Sequence, residues 1–319
     1  HSVSGLVSTG HRRLQATFLN PYRLIQGTLL QSYPMFLFGI AIYLFSVFCN
    51  LMLLSLIILK RNLHKPMYFI LFSLPLNDLI GVSAMLPKVL SDLVTETNTV
   101  YYPLCVLQAF LLHMYGGGIL FILAAMSFDR YAAICMPLRY SSIMTPRVII
   151  CIISLVWGLD FVLITSLFSL QTRLPRCKSV IMNVFCDNPS LLKLTCGNTT
   201  VNNVLGLFTT AAMQAVSVSI QQKTKAVNTC VAQLLILIIF EIVSTFTILS
   251  HRFKNVSADL QKIMGMLIFL VPPLLNPIVY GLYTSEIRNT LLTVSRLLPF
   301  WRVLPYFIEI NDEAYNDSS

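Results

Sequence analysis

Residues 119–140 read "ILFILAAMSFDRYAAICMPLRY" and place an acid–base pair directly after a strongly apolar run. Asp129 and Arg130 follow "ILFILAAM", which contains no charged side chain. Such a run suits the hydrocarbon layer of a bilayer, where charged side chains are rare and usually functional. The rest of the chain decides whether this run belongs to a membrane protein.

The composition is that of a membrane protein. Only 11% of the 319 residues are charged, against about 25% in soluble domains, and the mean hydropathy is +0.74. A helix needs roughly 20 mostly apolar residues to cross the hydrocarbon layer. Seven stretches approach or exceed this length, near residues 34–59, 66–90, 102–126, 147–170, 202–220, 226–250 and 260–283. They are too long for barrel strands, so we expect an all-α membrane protein, a seven-transmembrane helix bundle.

The distribution of positive charge predicts an orientation. "KRNLHK" (60–65) follows the first stretch and has three Lys or Arg residues, whereas "SDLVTETNTVYY" (91–102) has none. Positively charged loops stay on the cytoplasmic side, so we expect an extracellular N-terminus. The predicted regions are an extracellular segment (1–33), the bundle (34–283) and a cytoplasmic amphipathic helix with an acidic tail (284–319).

The predicted extracellular side carries cysteines and glycosylation sequons. The cysteines are Cys105, Cys177, Cys186 and Cys196, and the sequons begin at Asn198 and Asn255. Four cysteines in an oxidising compartment predict two disulfides, with three possible pairings.

Five motifs, in this order, resemble one family. They are "LHKPMYFILFSLPLNDL" (63–79), "MSFDRYAAICMPLRY" (126–140), "LLKLTC" (191–196), "KAVNTC" (225–230) and "PPLLNPIVYGLYTSEIR" (272–288). Together they resemble the odorant receptors among the rhodopsin-like G-protein-coupled receptors, over about residues 34–300, and "HRF" (251–253) is similar to fish receptors. The resemblance implies a plasma-membrane receptor for a small-molecule odorant that activates a heterotrimeric G protein of the olfactory stimulatory type. Beyond these partners and membrane lipid, we expect no enzyme activity, no cofactor and no nucleic acid.

The resemblance also implies roles for individual residues. The disulfides would be Cys105–Cys186 and Cys177–Cys196. The activation switch would comprise Asp129, Arg130, Tyr131, Asn276, Pro277 and Tyr280. In the family the arginine is held by the adjacent aspartate in the resting state, and a proline within a span permits a kink.

A buried polar pair, Asn50 and Asp78, matches a sodium and water pocket of the family. Many odorant receptors have a glutamate eleven residues before the arginine, but Ile119 occupies that position here. A sodium site built on two carboxylates is therefore not carried over, and no other metal is expected. Asp78 is either protonated or hydrogen bonded to Asn50 and Asn276.

The family's ligand pocket maps onto the extracellular half of the bundle. Its predicted lining is Leu112, His113, Gly116, Gly117, Glu241, Ile248 and Arg252. The glycines of "GGG" (116–118) either allow close helix packing or leave a roomy pocket floor. His113 and Arg252 would hold an acidic ligand if both face inward. Otherwise they are a bundle histidine and a loop arginine.

The fifth stretch is short and contains Thr, Gln and Ser, with only "QQKT" (221–224) before the next motif. In the family that the chain resembles, the fifth helix continues into the cytoplasm before a basic loop, so the resemblance implies a truncated inner end of the fifth helix here and impaired coupling, as in a degenerate receptor copy. A small transporter is a further alternative, with Asp78, Asp160 and Glu241 as its polar path.

Overall fold

The computed structural model describes residues 15–18, 29–95, 99–181, 183–224, 231–250 and 257–297, and these residues are mostly helical. The elements of the first half are β1 (Gln15–Phe18), α1 (Leu29–Leu59), α2 (Pro66–Leu71), α3 (Ser73–Thr95), β2 (Thr99–Tyr101), α4 (Tyr102–Cys135) and α5 (Tyr140–Ile143). Those of the second half are α6 (Pro146–Thr172), β3 (Val180–Ile181), α7 (Asn188–Leu192), α8 (Thr200–Thr224), α9 (Val231–Ser250), α10 (Ala258–Tyr283) and α11 (Ser285–Leu297).

Within the described residues, five helical segments are long and apolar enough to cross a membrane, so this is a multi-pass membrane protein. They lie at Tyr33–Leu59, Pro66–Thr95, Tyr102–Cys135, Pro146–Thr172 and Leu260–Gly281. The second combines α2 and α3, which are joined through Phe72 in a helical conformation. A shorter apolar helix, Ile238–Thr247, lies within α9.

The fifth predicted stretch forms a longer helix than expected. The prediction of a loop at "QQKT" is wrong, because α8 continues through Thr224 and has 25 residues. At 1.5 Å per residue this helix is about 37 Å long, enough to cross the hydrocarbon layer. Gln, Lys and Thr interrupt the apolar pattern but remain compatible with helix, so hydropathy alone placed the boundary too early. The helix therefore reaches four residues further than predicted, and the truncation of its inner end stays a prediction.

Two other helix boundaries differ from the prediction. Helix α1 begins at Leu29 rather than near residue 34, with Pro34 inside its second turn. Helix α4 continues to Cys135, beyond the span predicted near residues 102–126, so Asp129 and Arg130 lie within its last two turns. Charged residues ended the apolar pattern there, but the backbone hydrogen bonding does not depend on that pattern.

Helix α4 lies at the centre of the bundle and contacts α2, α3, α6, α7 and α8. Glycines at the contact between α4 and α3 allow these two helices to pack closely. An added side-chain carbon at Gly81 would lie 2.3 Å from the Tyr115 ring, and one at Gly118 would lie 2.4 Å from Asn77 Oδ1. Tyr115 is fully buried as a result. Close packing of small residues is the usual way in which membrane helices associate.

A small sheet covers one end of the bundle and was not predicted from the sequence. Its strand order is β2-β1-β3, with β1 antiparallel to β2 and parallel to β3. Thr17 N donates to Ser179 O at 2.7 Å. We call this end, which also carries the disulfides, the disulfide end, and the opposite end, at the base of α4, the Arg130 end.

Candidate functional site

The disulfide end is tied together by covalent bonds and hydrogen bonds. Cys105 at the start of α4 is bonded to Cys186, and Cys177 to Cys196, which are the pairs that the resemblance implies. Gln108, one turn after Cys105, extends the first tie. Its Nε2 donates to Ala84 O of α3 at 2.9 Å, and its Oε1 accepts from Cys186 N at 3.0 Å.

This tie holds Phe185 over the interior of the bundle. Phe185 is 3% exposed and makes an edge contact with Phe269 of α10, with ring centroids 5.6 Å apart. Phe269 in turn contacts Tyr115 of α4 at 5.6 Å. Leu112, a predicted pocket residue, packs in the same cluster as Phe185 and is 2% exposed. It therefore lies beneath the loop, and its contact with a ligand stays a prediction.

His113 lies on the side of α4 that faces α6. Its Nδ1 is 2.9 Å from Ala109 O, and its ring makes an edge contact with Phe168 at 5.5 Å. The side chain is half-buried. These contacts fit the interpretation as a bundle histidine, although they leave the second ring nitrogen for other partners. Arg252 lies outside the described residues, and so does the side chain of Ile248, so their predicted roles stay predictions.

The three glycines of α4 have different environments, which separates the two interpretations offered for "GGG". An added side-chain carbon at Gly116 would meet no atom within 4 Å, so Gly116 borders open space. One at Gly117 would lie 2.0 Å from Asp160 Oδ1 and 3.4 Å from Met213 Sδ. Gly117 and Gly118 therefore serve close packing, and the predicted place of Gly117 in the ligand pocket stays a prediction. Gly116 is the one of the three whose added carbon would meet no atom within 4 Å.

Asp160 of α6 is fully buried, and neither of its carboxyl oxygens has a hydrogen-bond partner among the described residues. Its carboxyl occupies the notch left by the absent side chain of Gly117. Glu241 of α9 is half-buried, and its Oε1 likewise has no partner there. Gln214 of α8 lies within hydrogen-bonding reach of the Glu241 carboxyl and also donates to Ser244 Oγ at 3.2 Å.

The predicted buried polar pair is divided between two sets of contacts. Asn276 Nδ2 of α10 donates to Asp78 Oδ2 at 2.9 Å. Asn50 Nδ2 donates instead to Ser46 O and Pro273 O, both at 2.9 Å. Of the two hydrogen bonds considered for Asp78, the structure contains the one to Asn276. Ile119 packs in the main hydrophobic cluster of the bundle.

The prolines of α10 explain why Asn50 bonds to a backbone carbonyl. Pro277 has no N–H, so Pro273 O lacks its partner within the helix. Ser46 Oγ and Asn50 Nδ2 of α1 both donate to that oxygen, at 3.1 and 2.9 Å. In the same way Pro272 leaves Ile268 O free, and the Tyr115 hydroxyl donates to it at 3.4 Å. Neighbouring helices thus complete the backbone hydrogen bonding of a proline-rich span, as a membrane requires.

At the Arg130 end, Asp129 is 2% exposed and accepts a hydrogen bond from the Tyr140 hydroxyl at 2.9 Å. Tyr140 begins α5, and the sequence did not indicate its role. Burial, followed by the neighbouring Asp129 carboxylate, raises the pKa of Tyr140. Arg130 and Tyr131 are half-buried, while Tyr280 is 2% exposed and its hydroxyl lies 3.8 Å from Met126 Sδ.

Helix α11 docks beside this end and is amphipathic, as predicted. Ile287 and Leu291 are buried against the main hydrophobic cluster. On the polar face, Glu286 forms an ion pair with Lys65, and this ion pair lowers the pKa of Glu286. The described helix ends at Leu297, two residues before Pro299. The acidic tail and the sequon at Asn255 lie outside the described residues.

The functional residues that sequence reasoning missed are Ser46, Gln108, Tyr115 and Tyr140. Each of these side chains bonds to a group on another segment of the chain. For Ser46 and Tyr115 a signal did exist, because a proline inside a span always leaves a carbonyl four residues earlier without its donor. The identity of the donor depends on helix packing, which a single sequence does not give.

A bundle of membrane-length helices with a proline-rich α10 and a disulfide-tied loop fits a seven-helix receptor. The family model described as "Olfactory receptor" matches residues 39–298. The chain is 34% identical to human Olfactory receptor 52B2 over 78% of this chain and 83% of that protein. It is 35% identical to human Olfactory receptor 51I1 over 79% and 86%, and 33% identical to mouse Olfactory receptor 8G17 over 81% and 90%.

The chain therefore belongs to the olfactory receptor family. Its members are odorant-binding G-protein-coupled receptors and not enzymes. This membership accounts for the odorant ligand and for G-protein coupling, and it does not favour the transporter or degenerate-copy alternatives.

Proposed function

We propose that this olfactory receptor crosses the membrane seven times, with the disulfide end outside the cell and the Arg130 end in the cytoplasm. The five apolar segments supply five crossings. Helices α8 and α9 supply the other two, which are the fifth and sixth in chain order. Two disulfides at one end suit an oxidising compartment. Lys60, Arg61 and Arg147 lie at the opposite end, as expected for cytoplasmic loops.

Glycosylation provides a test of this orientation. Asn198 lies in the segment between α7 and α8, at the disulfide end. The receptor produced in cells should lose one glycan in the Asn198→Gln variant, visible as a faster-migrating band. Enzymatic removal of glycans should eliminate the difference between the two proteins. The opposite orientation would follow from two results together. Asn198 would stay unmodified in a fully matured receptor, and a sequon engineered near Arg139 would receive a glycan.

The ligand pocket lies in the half of the bundle below the Phe185 segment, bordered by Gly116 and reached by Glu241. The activation region lies at the other end, where Asp129, Arg130 and Tyr131 face the cytoplasm and Asn276, Pro277 and Tyr280 shape α10. A bound odorant shifts α10 and α9 relative to α4, because the proline-interrupted α10 can bend. This shift between two arrangements of the helices is the conformational change that a receptor requires.

The receptor activates a stimulatory heterotrimeric G protein. The supporting observation is the position of the Asp129–Arg130 pair in the last two turns of the central helix α4, with Asp129 bound to Tyr140. An odorant panel applied to receptor-expressing cells should raise cAMP, and the response should disappear in cells without the stimulatory α subunit. Arg130→Ala should abolish the response at equal surface expression.

Arg173→Ala is the matched control, because Arg173 is exposed and follows the end of α6 nearest the disulfides. It should respond like the wild-type receptor. Ligand accumulation inside cells without a rise in cAMP would favour a transporter instead. A cAMP response that survives in cells lacking the stimulatory subunit would contradict the choice of G protein.

A further inference from the structure

A polar groove lies at the Arg130 end of the bundle, between α11 and the loop that joins α1 to α2. Its volume is about 430 Å³. Neither the proposed ligand pocket nor the activation region uses this groove. The residues that line it are all polar: Asn62, Lys65, Glu286, Asn289, Thr290 and Thr293.

One wall of the groove is a face of α11. The four lining residues of this helix repeat every three or four positions, so their side chains lie on one face. Ile287 and Leu291 lie on another face and are buried against the bundle. The opposite wall is the short 3₁₀ helix Arg61–Leu63 together with Lys65, and both Asn62 and Lys65 are exposed. Packing of the apolar face thus directs the polar face of α11 toward the loop.

The loop wall of the groove lies at the level of the lipid headgroups. The membrane-length segment Tyr33–Leu59 ends directly before Lys60, and the segment Pro66–Thr95 begins directly after Lys65. The first of these has 27 residues and is about 40 Å long, which is the thickness of a bilayer with its headgroup regions. In the proposed orientation these headgroups belong to the inner leaflet.

The segments that form the groove carry an excess of positive charge. Residues 60–65 and 286–293 contain four Lys or Arg residues and one acid, Glu286. Glu286 forms an ion pair with Lys65, whose side chain is the more exposed partner, at 58% against 39%. A lysine ammonium has three N–H donors, so the ion pair leaves donors for a second acceptor. Basic clusters directly beside a membrane span attract anionic lipids.

The uncharged side chains of the groove favour one class of headgroup. Asn62 and Asn289 each have an amide that both donates and accepts hydrogen bonds. The hydroxyls of Thr290 and Thr293 donate to backbone carbonyls of α11, so their oxygens can accept. Amides and hydroxyls suit a ring with several hydroxyl groups, whereas choline and serine headgroups have no free hydroxyl. Together with Lys65 they match a headgroup that combines phosphate with a polyhydroxyl ring.

From this arrangement we propose that the groove binds the headgroup of a phosphoinositide, a phospholipid with a phosphorylated inositol ring. Lys65 binds a phosphate oxygen, and the amides of Asn62 and Asn289 bind inositol hydroxyls. The exposed apolar residues Ile58 and Leu59, at the end of α1, offer a surface for the acyl chains. The choice of the inner leaflet rests on the proposed orientation, whereas the site itself does not.

Direct binding to the purified full-length receptor tests this site without an odorant or a G protein. The Tm is measured while dioctanoyl phosphatidylinositol 4-phosphate is added, and in parallel with the phosphatidylserine and phosphatidylcholine of the same chain length. A ligand of the folded state raises the Tm. The half-maximal concentration should be about tenfold lower for the phosphoinositide than for phosphatidylserine, and phosphatidylcholine should have no effect.

Two outcomes of this comparison would overturn the proposed headgroup. Equal responses to the phosphoinositide and to phosphatidylserine would show a general attraction of anionic lipid. Free inositol 1,4-bisphosphate lacks acyl chains and should bind more weakly than the lipid. If it acts at the same concentration, the groove binds a soluble phosphate ester and not a lipid.

Lys65→Ala should raise the half-maximal phosphoinositide concentration about tenfold, because a charge-assisted hydrogen bond to phosphate is lost. Its matched control is Lys178→Ala, since Lys178 is an exposed lysine at the disulfide end. A loss that is equal in the two variants would show that net charge alone attracts the lipid, and it would overturn the site.

Thr293→Val is a second groove variant and leaves every charge in place. It should raise the half-maximal concentration about threefold, because one neutral hydrogen bond is lost. Thr172→Val is the control, since Thr172 is exposed and its hydroxyl donates to Ser169 O much as that of Thr293 donates to Asn289 O. Binding that survives in both groove variants overturns the inference. If glycosylation reverses the orientation while these losses are observed, the proposed orientation fails and the headgroup site stands.

Discussion

Two buried aspartates divide the bundle into two differently built halves. Asp78, between α3 and α10, receives a hydrogen bond from Asn276. On the same side, Ser46 and Asn50 of α1 complete the backbone of α10 at Pro273. Asp160, between α4, α6 and α8, has no such partner among the described residues. The half around α10 is thus fixed by internal hydrogen bonds, whereas the half around α8 contains a buried carboxyl whose oxygens have no partner among the described residues.

This difference shows that one bundle contains both satisfied and unsatisfied buried polar groups. Side chains that complete a helix backbone cannot exchange partners without cost, because hydrocarbon offers no substitute. A buried acceptor that lacks a donor reduces stability. The variants below alter one half at a time, beginning with a tie that both halves share.

The largest loss is expected when the Cys105–Cys186 bond is removed by changing both cysteines to serine. The bond closes 81 residues, and loop entropy predicts a destabilisation of about 4–5 kcal/mol. The Cys177–Cys196 bond closes 19 residues and predicts about 3 kcal/mol. Surface expression and the Tm of the purified receptor measure both effects. A larger loss from the Cys177–Cys196 variant would show that the tie to α4 is not the principal one.

Asn276→Ala should be the most damaging single change in the frame half. It leaves the Asp78 carboxyl without its donor, at a cost of about 3 kcal/mol. Asp160→Asn removes no hydrogen bond among the described residues and should cost less, so the two variants together test the division directly. Thermal unfolding of the ligand-free receptor is the measurement. If both variants lower the Tm equally, the two aspartates are equivalent and the division fails.

Gly118→Ala tests the packing of α4 against α3. The added carbon would lie 2.4 Å from Asn77 Oδ1, whose amide group donates to Tyr115 O at 2.9 Å. We expect a loss of about 2 kcal/mol from overpacking. Gly116 lies two residues earlier in α4 and borders open space, so Gly116→Ala should unfold at nearly the wild-type temperature. Equal losses would place both glycines in packed contacts.

Ser46→Ala should have a smaller effect, because Asn50 still donates to Pro273 O. Hydrogen bonds between membrane helices contribute about 0.6 kcal/mol on average, and we expect a loss of this size. The double variant Ser46→Ala and Asn50→Ala should lose more than the two single losses added together, because both donors serve one oxygen. Strict additivity in this double-mutant cycle would show that the two bonds are independent.

The smallest effect is expected for Lys65→Ala at the Arg130 end. The Lys65–Glu286 ion pair is 58% and 39% exposed on its two sides, so its loss should cost less than about 1 kcal/mol. Because Lys65 lowers the pKa of Glu286, the contribution is present at neutral pH and is lost as the pH falls through that lowered pKa. The stabilities of wild type and variant should therefore converge in acid. A difference that grows as the pH falls would contradict this assignment.

The sequence predicts those features that depend on local pattern or on resemblance. Apolar runs located the helices, and the resemblance supplied the cysteine pairs found at the disulfide end. Features that depend on partners distant in the chain were not predicted. Tyr140 reaches Asp129 only because α5 folds back on α4, and β1 exists only because two loops lie beside it. The end of α8 was misplaced because polarity was taken for the end of a helix.

The central position of β1 in its sheet has a consequence for synthesis of the receptor. β1 lies between β2 and β3, and 162 residues separate Thr17 from its partner Ser179. A ribosome adding roughly 5–20 residues per second needs about ten to thirty seconds to make that interval. During this time β1 can pair with β2 at most, and its other edge stays open to chaperones or to other chains. The sheet can therefore be completed only after α1 to α6 have been inserted. The complete sheet is a folded feature by which finished receptors differ from nascent ones.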